Sequence, residues 1–294
     1  MTGYRPEDLE AAFPRFATFR LLGMGGEGAV FSVWDRVRKE DLALKLMRDH
    51  GEPDLGERFE SEYAILATSR SNRLVTVYQH GQCRVRMTDG KAHRHYWYTM
   101  EQCESSVRTS YRRMQFAQRV DVSLQMIDGI AFLHAKNIAH RDIKPDNLFL
   151  VLGTQVKIGD FGLATLSKVV TTPSGPGGVV TGSPPYLAPE RWTGDQDADW
   201  RPSDQYAAGI SLFELLTAGG AALDFRSGYL QAHQSGAVQK LVIPELRGRP
   251  LPSVDRVVAR MLAKRPGRRY SDIAECKREL TAALAQDGMG ADWR

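Results

Sequence analysis

Cysteine is scarce. The 294 residues hold three, Cys83, Cys103 and Cys276, and no two are spaced as a CxxC pair. An odd number without metal-ligand spacing argues against a disulfide framework or a zinc cluster and fits a reducing compartment. Long apolar runs are missing too. Residues 1–20 carry acidic and aromatic side chains with no apolar core of the secretory kind. The most apolar window, 206–225, contains Glu214, Asp224 and several glycines, which suits a buried helix better than a membrane span. Excess charge of one sign is small: 39 Lys and Arg against 35 Asp and Glu, a net +4. That gives no argument for nucleic acid or a membrane surface as partner. The rest is ordinary: 42% hydrophobic and 25% charged residues describe a globular chain long enough for a sizeable core. The expectation is a soluble, cytoplasmic protein without repeats or long linkers.

The chain changes character near Met100. Before it, Phe16–Leu22 and Ala29–Trp34 read as strands on either side of a glycine cluster, and Leu42–Met47 as a third. Leu55–Arg70 has Phe59, Tyr63 and Leu66 at helical steps. Arg73–Tyr78 and His95–Met100 read as further strands, and the basic stretch Gln82–Arg94 as an exposed hairpin or loop that an acidic partner would fit. After Met100, helices are expected over Tyr111–Lys136, Ser203–Ala218, Pro252–Ala263 and Ser271–Ala285. Lys168–Gly182, rich in Gly, Pro, Ser and Thr, should be a mobile loop. The pattern is α+β: a small strand-rich lobe, a short connector and a larger helical lobe.

Three constellations carry chemistry. Gly23-x-Gly25-x-x-Gly28-x-Val30 lets a turn between strands approach phosphates, whose oxygens main-chain N–H groups can bind. The pattern also opens dinucleotide-binding folds, but here a strand rather than a helix follows it. Lys45 interrupts an apolar strand, so it needs a partner: an anion, or a helix carboxylate, with Glu62 ahead of Glu60. Glu62 is expected on the flank of a face formed by Phe59 and Tyr63. The densest cluster is His140-Arg-Asp-Ile-Lys-Pro-Asp-Asn147, followed by Asp160-Phe-Gly162. A carboxylate there can accept a hydroxyl proton, a lysine can neutralise a migrating phosphate, and an amide oxygen with a second aspartate can hold Mg²⁺.

Together with Ala188-Pro-Glu190, these segments resemble, in order and spacing, the signature of eukaryotic-type serine/threonine protein kinases, and Tyr186–Glu190 is similar to bacterial members. The resemblance covers about 16–285 and implies the bilobal kinase fold: an antiparallel-sheet N-lobe with one main helix over 16–100, a hinge over 101–106 and a mostly helical C-lobe over 107–285. Residues 1–15 would be an extension and 286–294 a tail. It implies transfer of the ATP γ-phosphate to protein Ser or Thr with Mg²⁺. Gly23, Met24, Gly25, Gly28, Val30 and Ala43 would surround the nucleotide. Lys45 would contact its α and β phosphates and pair with Glu62. Met100 would stand beside the adenine, with main-chain groups of Glu101 and Cys103 on its edge. Asp142 would orient the acceptor hydroxyl and take its proton, with Lys144 beside it, and Asn147 and Asp160 would bind Mg²⁺. The hinge reads Glu104-Ser-Ser-Val where the family commonly has a glycine. Ser183 would bridge Asp142 and Lys144, Asp204 would anchor the catalytic loop, and Glu190 would pair with Arg269. Arg141, before Asp142, would pair with a phosphate on the activation segment, for which Thr171 and Thr172 are the candidates. A regulatory partner protein would supply the signal. A non-catalytic scaffold and a small-molecule kinase are the alternatives. The first lacks support because every chemical group is present. The second is opposed by Lys144 and the Glu190/Arg269 pair.

Overall fold

The computed structural model describes residues 3–25, 28–51, 55–161, 182–192 and 199–289, and the backbone of 165–166. The chain divides into two compact units, 1–103 and 104–294, and the division falls within the expected hinge.

The first unit is a five-stranded antiparallel sheet in the order β1-β2-β3-β5-β4. The strands are β1 (Phe16–Gly25), β2 (Gly28–Asp35), β3 (Glu40–Arg48), β4 (Val77–Arg86) and β5 (Ala92–Glu101). Beside them stand a short helix α1 (Pro6–Ala12) and the main helix α2 (Leu55–Thr68). Leu42, Leu44 and Leu46 of β3 pack with Ala29, Phe31 and Val33 of β2 on one side of the sheet, each nearly free of solvent. Full burial of a leucine contributes about 1.5–3 kcal/mol, so this cluster is a main source of the unit's stability. Leu9 of α1 and Phe13 join the same cluster, and Arg15 closes a two-pronged pair with Asp35. Residues ahead of Phe16 are thus part of this unit's core. On the second cluster, Phe59 of α2 packs against Tyr96 and Tyr98.

Two sequence readings shift. The strand expected over Arg73–Tyr78 begins only at Val77 and runs to Arg86, taking in the first five residues of the basic stretch expected as a hairpin or loop. That stretch is a hairpin: Arg84 faces Arg94 and Arg86 faces Ala92. Its polar residues are tolerated because β4 is an edge strand, where only Val85 turns fully inward. On α2, the buried residues are Leu55, Phe59, Glu62, Ile65 and Leu66, so Glu62 lies in the centre of the buried stripe and not on its flank.

The second unit is mostly helical. It opens with β6 (Ser105–Ser106) and one turn of helix, α3 (Val107–Ser110). The long helix α4 (Phe116–Ala135) follows, its start closed by a capping box between Gln115 and Gln118. Next come β7 (Ile138–Ala139), the hairpin β8 (Leu148–Val151) and β9 (Gln155–Ile158), and β10 (Thr165–Leu166), which pairs with β7. Then come α5 (Arg201–Leu216), α6 (Tyr229–Ser235), α7 (Pro252–Met261) and α8 (Ile273–Gln286). α5 is buried along nearly its whole length, as its apolar window requires. The tail expected after Ala285 is docked at its start: Asp287 accepts from the Ser253 and Val254 N–H groups and so caps α7. Among the described residues no helix is long and apolar enough to cross a membrane.

Candidate active site

In the first unit the glycine cluster is the tip of the β1–β2 hairpin, with Gly23 facing Val30 and Gly25 facing Gly28. The glycines serve different ends. Gly28 has φ +144°, and a Cβ there would lie 2.0 Å from the Leu46 carbonyl oxygen, so strand packing alone demands glycine. A Cβ on Gly23 would meet nothing within 4 Å, which leaves its backbone open to a ligand. Met24 between them is exposed. Across the sheet Val30 pairs with Lys45, and Ala43 pairs with Met100, so four predicted nucleotide residues stand on three adjacent strands.

Lys45 Nζ donates to Glu62 Oε1 at 2.9 Å, and both side chains are buried. Tyr98 Oη donates to the same oxygen at 2.7 Å. Tyr98 was not legible as a site residue, since nothing in its spacing marks it. Glu60, the other carboxylate considered, is half exposed and faces His80. At the end of β5 the Glu101 N–H donates to the Thr76 oxygen and its carboxylate accepts from the Thr76 N–H, which fixes the strand end. Gln102 accepts from Ser32 of β2, and Cys103 follows it as the last residue of the unit.

In the second unit, hairpin register brings the distant motifs together. Leu148 faces Ile158, so Asn147 and the pair Gly159–Asp160 meet at the same open end, and Gly159 N donates to the Asn147 oxygen. Asp160 sits in the left-handed region, φ +63°, which is costly for a non-glycine residue and typical of functional turns. His140 braces the turn: its Nε2–H donates to the Gly159 oxygen and its ring lies 4.7 Å from Phe161. Its Nδ1 then accepts from the Asp142 N–H.

Asp142 is the centre. Its Oδ2 accepts from Lys144 Nζ at 2.5 Å and from Asn147 Nδ2 at 3.0 Å. Its Oδ1 is buried and has no partner among the described residues. An unmet buried acceptor costs about 1–3 kcal/mol, which fits an oxygen held ready for a donor such as a hydroxyl. Both amide hydrogens of Asn147 go to Asp142, one to its main-chain oxygen at 2.8 Å, so Asn147 Oδ1 is turned outward as an acceptor. That donor set, a carboxylate and an amide oxygen at one hairpin end, suits a hard cation that keeps water and phosphate as its other ligands. Lys144 Nζ also donates to Ser183 Oγ at 2.7 Å.

Asp204 at the start of α5 holds the loop from behind. It accepts from the N–H groups of His140 and Arg141 at 2.8 and 2.7 Å and from His134 Nε2 at 3.0 Å. Glu190 receives a two-pronged pair from Arg269 at 2.7 and 2.8 Å. Burial alone would raise the Glu190 pKa, but the Arg269 hydrogen bonds outweigh it and hold the carboxyl below its ordinary value. Arg141 and Arg191 both stack on Trp200, at 4.6 and 3.9 Å, and burial pulls Arg141 down to about 10. Gly162, Thr171 and Thr172 lie outside the described residues.

The protein kinase domain family model matches residues 16–280. This chain belongs to the protein kinase family. It is 32% identical over 293 residues to the serine/threonine-protein kinase Pkn1 of Myxococcus xanthus, covering 92% of this chain and 38% of that one. To the serine/threonine-protein kinase PksC of Streptomyces coelicolor it is 33% identical over 288 residues, covering 94% and 50%. To the serine/threonine-protein kinase PrkC of Bacillus subtilis it is 28% identical over 288 residues, covering 94% and 41%. The chain therefore spans between about two fifths and half of the length of these relatives.

Within this kinase domain the segment after Ser183 has a brace that the sequence did not reveal. His233 of α6 is fully buried; its Nε2–H donates to the Pro184 oxygen at 2.9 Å, and its Nδ1 accepts from Tyr206 Oη at 3.0 Å. Burial lowers its pKa to about 4, against the pull of the Pro184 bond and with help from nearby Lys264. The unfolded chain, with a histidine near 6.5, binds the extra proton between those values. The His233 contribution to stability should therefore be level above pH 6.5 and fall as pH drops toward 4, by on the order of 3 kcal/mol. Urea midpoints between pH 4 and 7 check this: His233→Gln should flatten the slope, and an unchanged slope would assign the titration elsewhere.

Proposed function

We propose that this chain is a serine/threonine protein kinase that transfers the γ-phosphate of ATP to hydroxyls of protein substrates. The observation that carries the reading is Asp142, with Oδ2 saturated by Lys144 and Asn147 and Oδ1 buried without a partner. Asp142 Oδ1 accepts the proton of the substrate Ser or Thr hydroxyl as that oxygen bonds to the γ-phosphorus. The bond from phosphorus to the β,γ-bridging oxygen breaks, and ADP leaves with that electron pair. Lys144, bonded to Asp142 and Ser183, neutralises charge on the migrating group. Mg²⁺, when bound, neutralises the phosphates and orients them. Asn147 Oδ1 and the Asp160 carboxylate are the groups that hold it.

In the first unit Lys45 binds the α and β phosphates while Glu62 fixes its position, and the backbone at Gly23, Met24, Gly25 and Gly28 covers the phosphates. Val30, Ala43 and Met100 take the adenine, with main-chain groups of Glu101 and Cys103 on its edge. The catalytic domain extends over 16–285. The protein works in the cytoplasm, and phosphorylation at Thr171 or Thr172, read by Arg141, together with a regulatory partner protein, controls it.

The test is transfer of labelled γ-phosphate from Mg-ATP to casein-like and basic protein acceptors, followed by phosphoamino-acid analysis. Phosphoserine or phosphothreonine is expected. Phosphotyrosine alone, or transfer only to small molecules, would overturn the reading.

A further inference from the structure

Ser32 breaks the pattern of its strand. It stands in β2 between Phe31 and Val33, it is only 6% exposed, and it is neither apolar nor a strong strand former. A buried hydroxyl costs free energy unless it is bonded. Alternation and register fix the face it lies on. Val30 and Ser32 share one side of β2, and their partners on β3 are Lys45 and Ala43. Ser32 is therefore on the face that carries Lys45, directly opposite Ala43, whose partner on β5 is Met100.

The Ser32 hydroxyl donates to Gln102 Oε1 at 2.7 Å. Gln102 stands between Glu101 and Cys103. β5 ends at Glu101, so the main chain of the next two residues lies outside the sheet. Glu101 is held by two bonds to Thr76, just ahead of β4. In the sheet order β4 flanks β5 on one side, while β3 and then β2 lie on the other. The segment leaving β5 is thus gripped from both sides, by Thr76 at Glu101 and by Ser32 at Gln102.

We propose that Ser32 is a positioning residue for the nucleotide: through Gln102 it sets the angle at which the main-chain groups of Glu101 and Cys103 meet the adenine edge. This rests on the reading of the chain as an ATP-dependent kinase. Hydrogen bonds weaken steeply as they bend, so a segment free to swing holds the base less well. A segment tied in advance has already lost that freedom before binding. The adenine does not change during transfer, so its contacts are equal in the ground and transition states. Ser32 therefore acts on ATP affinity and not on the turnover of the bound complex. Nor does it act on the phosphates, which Lys45 and the glycine turn bind.

The experiment uses the full chain. It measures kcat and the KM for ATP at a saturating protein acceptor, with inhibition constants for adenosine, a base without phosphates, and for magnesium tripolyphosphate, phosphates without a base. In Ser32→Ala the KM for ATP and the adenosine constant should both rise by about 3- to 10-fold, the worth of one net hydrogen bond, with kcat within about twofold and the tripolyphosphate constant unchanged. Gln102→Ala should match it, and the two together should lose no more than either alone. Ser32→Thr keeps the donor on a strand-favouring side chain and should stay near wild type. If Ser32→Ala melts without cooperativity, Gln102→Ala, at a partly buried position outside the sheet, carries the test. Tripolyphosphate binding that weakens in step with adenosine would make Ser32 a support of the sheet as a whole and overturn the proposal alone. Adenosine binding unchanged in both single variants would do the same. No transfer of phosphate from Mg-ATP by the wild type would overturn the kinase reading with it.

Discussion

Lys45→Met should lower stability by about 3–5 kcal/mol as well as abolish transfer, because it leaves a buried carboxylate without its cation. Glu62 sits in the middle of the buried face of α2, between Phe59 and Ile65, where water cannot replace the ammonium. The Tyr98 hydroxyl, at 2.7 Å, still donates to it. One neutral hydrogen bond, net about 0.5–1.5 kcal/mol, does not offset an ion taken out of water. The two effects can be separated. Lys45→Met with Glu62→Leu removes both charges and fills the space with apolar atoms, so most of the stability should return, less the cost to Tyr98 of losing its acceptor. Activity should not return, since the phosphates lose their cation in both variants. Urea denaturation and γ-phosphate transfer on the same preparations check this. A single variant as stable as wild type would mean that Glu62 is solvated and that the pair does not hold α2. A double variant that transfers phosphate would remove Lys45 from the chemistry.

The same residues show what sequence can reveal. Lys45 was legible because an ammonium inside an apolar strand has few physical solutions. Glu62 was chosen over Glu60 by helical phase, which places it on the inner side of α2, although Tyr63 proved half-buried and the stripe is centred on Glu62 itself. Asn147 and Asp160 were legible as an amide and a carboxylate suited to Mg²⁺, but the β8–β9 hairpin whose open end joins them shows only in the structure. Cooperation between distant polar residues was not legible. Arg108 and Tyr111 lie far along the chain from Tyr186 and Glu214, their hydrogen-bond partners, and each alone reads as an ordinary polar residue near a helix end. Edge strands were misjudged for a related reason. β4 needs only one buried side chain on its outer half, Val85, so its alternation is too weak to show against the basic residues around it. Helix α1 has seven residues, too few for a period to stand out, yet Leu9 and the adjoining Phe13 reach the core.

Asp142→Asn should reduce turnover by about 10²–10⁴-fold or more while leaving the protein at least as stable as wild type. The direction of both effects follows from the donors around the carboxylate. Lys144 Nζ and Asn147 Nδ2 both donate to Oδ2. An asparagine must therefore turn its amide oxygen toward them, which puts its NH₂ where Oδ1 now stands. The substrate hydroxyl then meets a donor instead of an acceptor. It loses its proton acceptor and also its orientation, since it can approach only with a lone pair forward. Stability moves the other way, because a buried oxygen with no partner among the described residues is replaced by a neutral group. Activity and stability are in opposition at this residue, as expected where a polar group is held unsatisfied for a reaction. Single-turnover transfer and thermal melting, with and without Mg-ATP, test both halves. A variant that is inactive and also melts well below wild type would place Asp142 in the scaffold. One that is inactive, stable and still shifted upward by Mg-ATP would leave proton acceptance and hydroxyl orientation as what was lost.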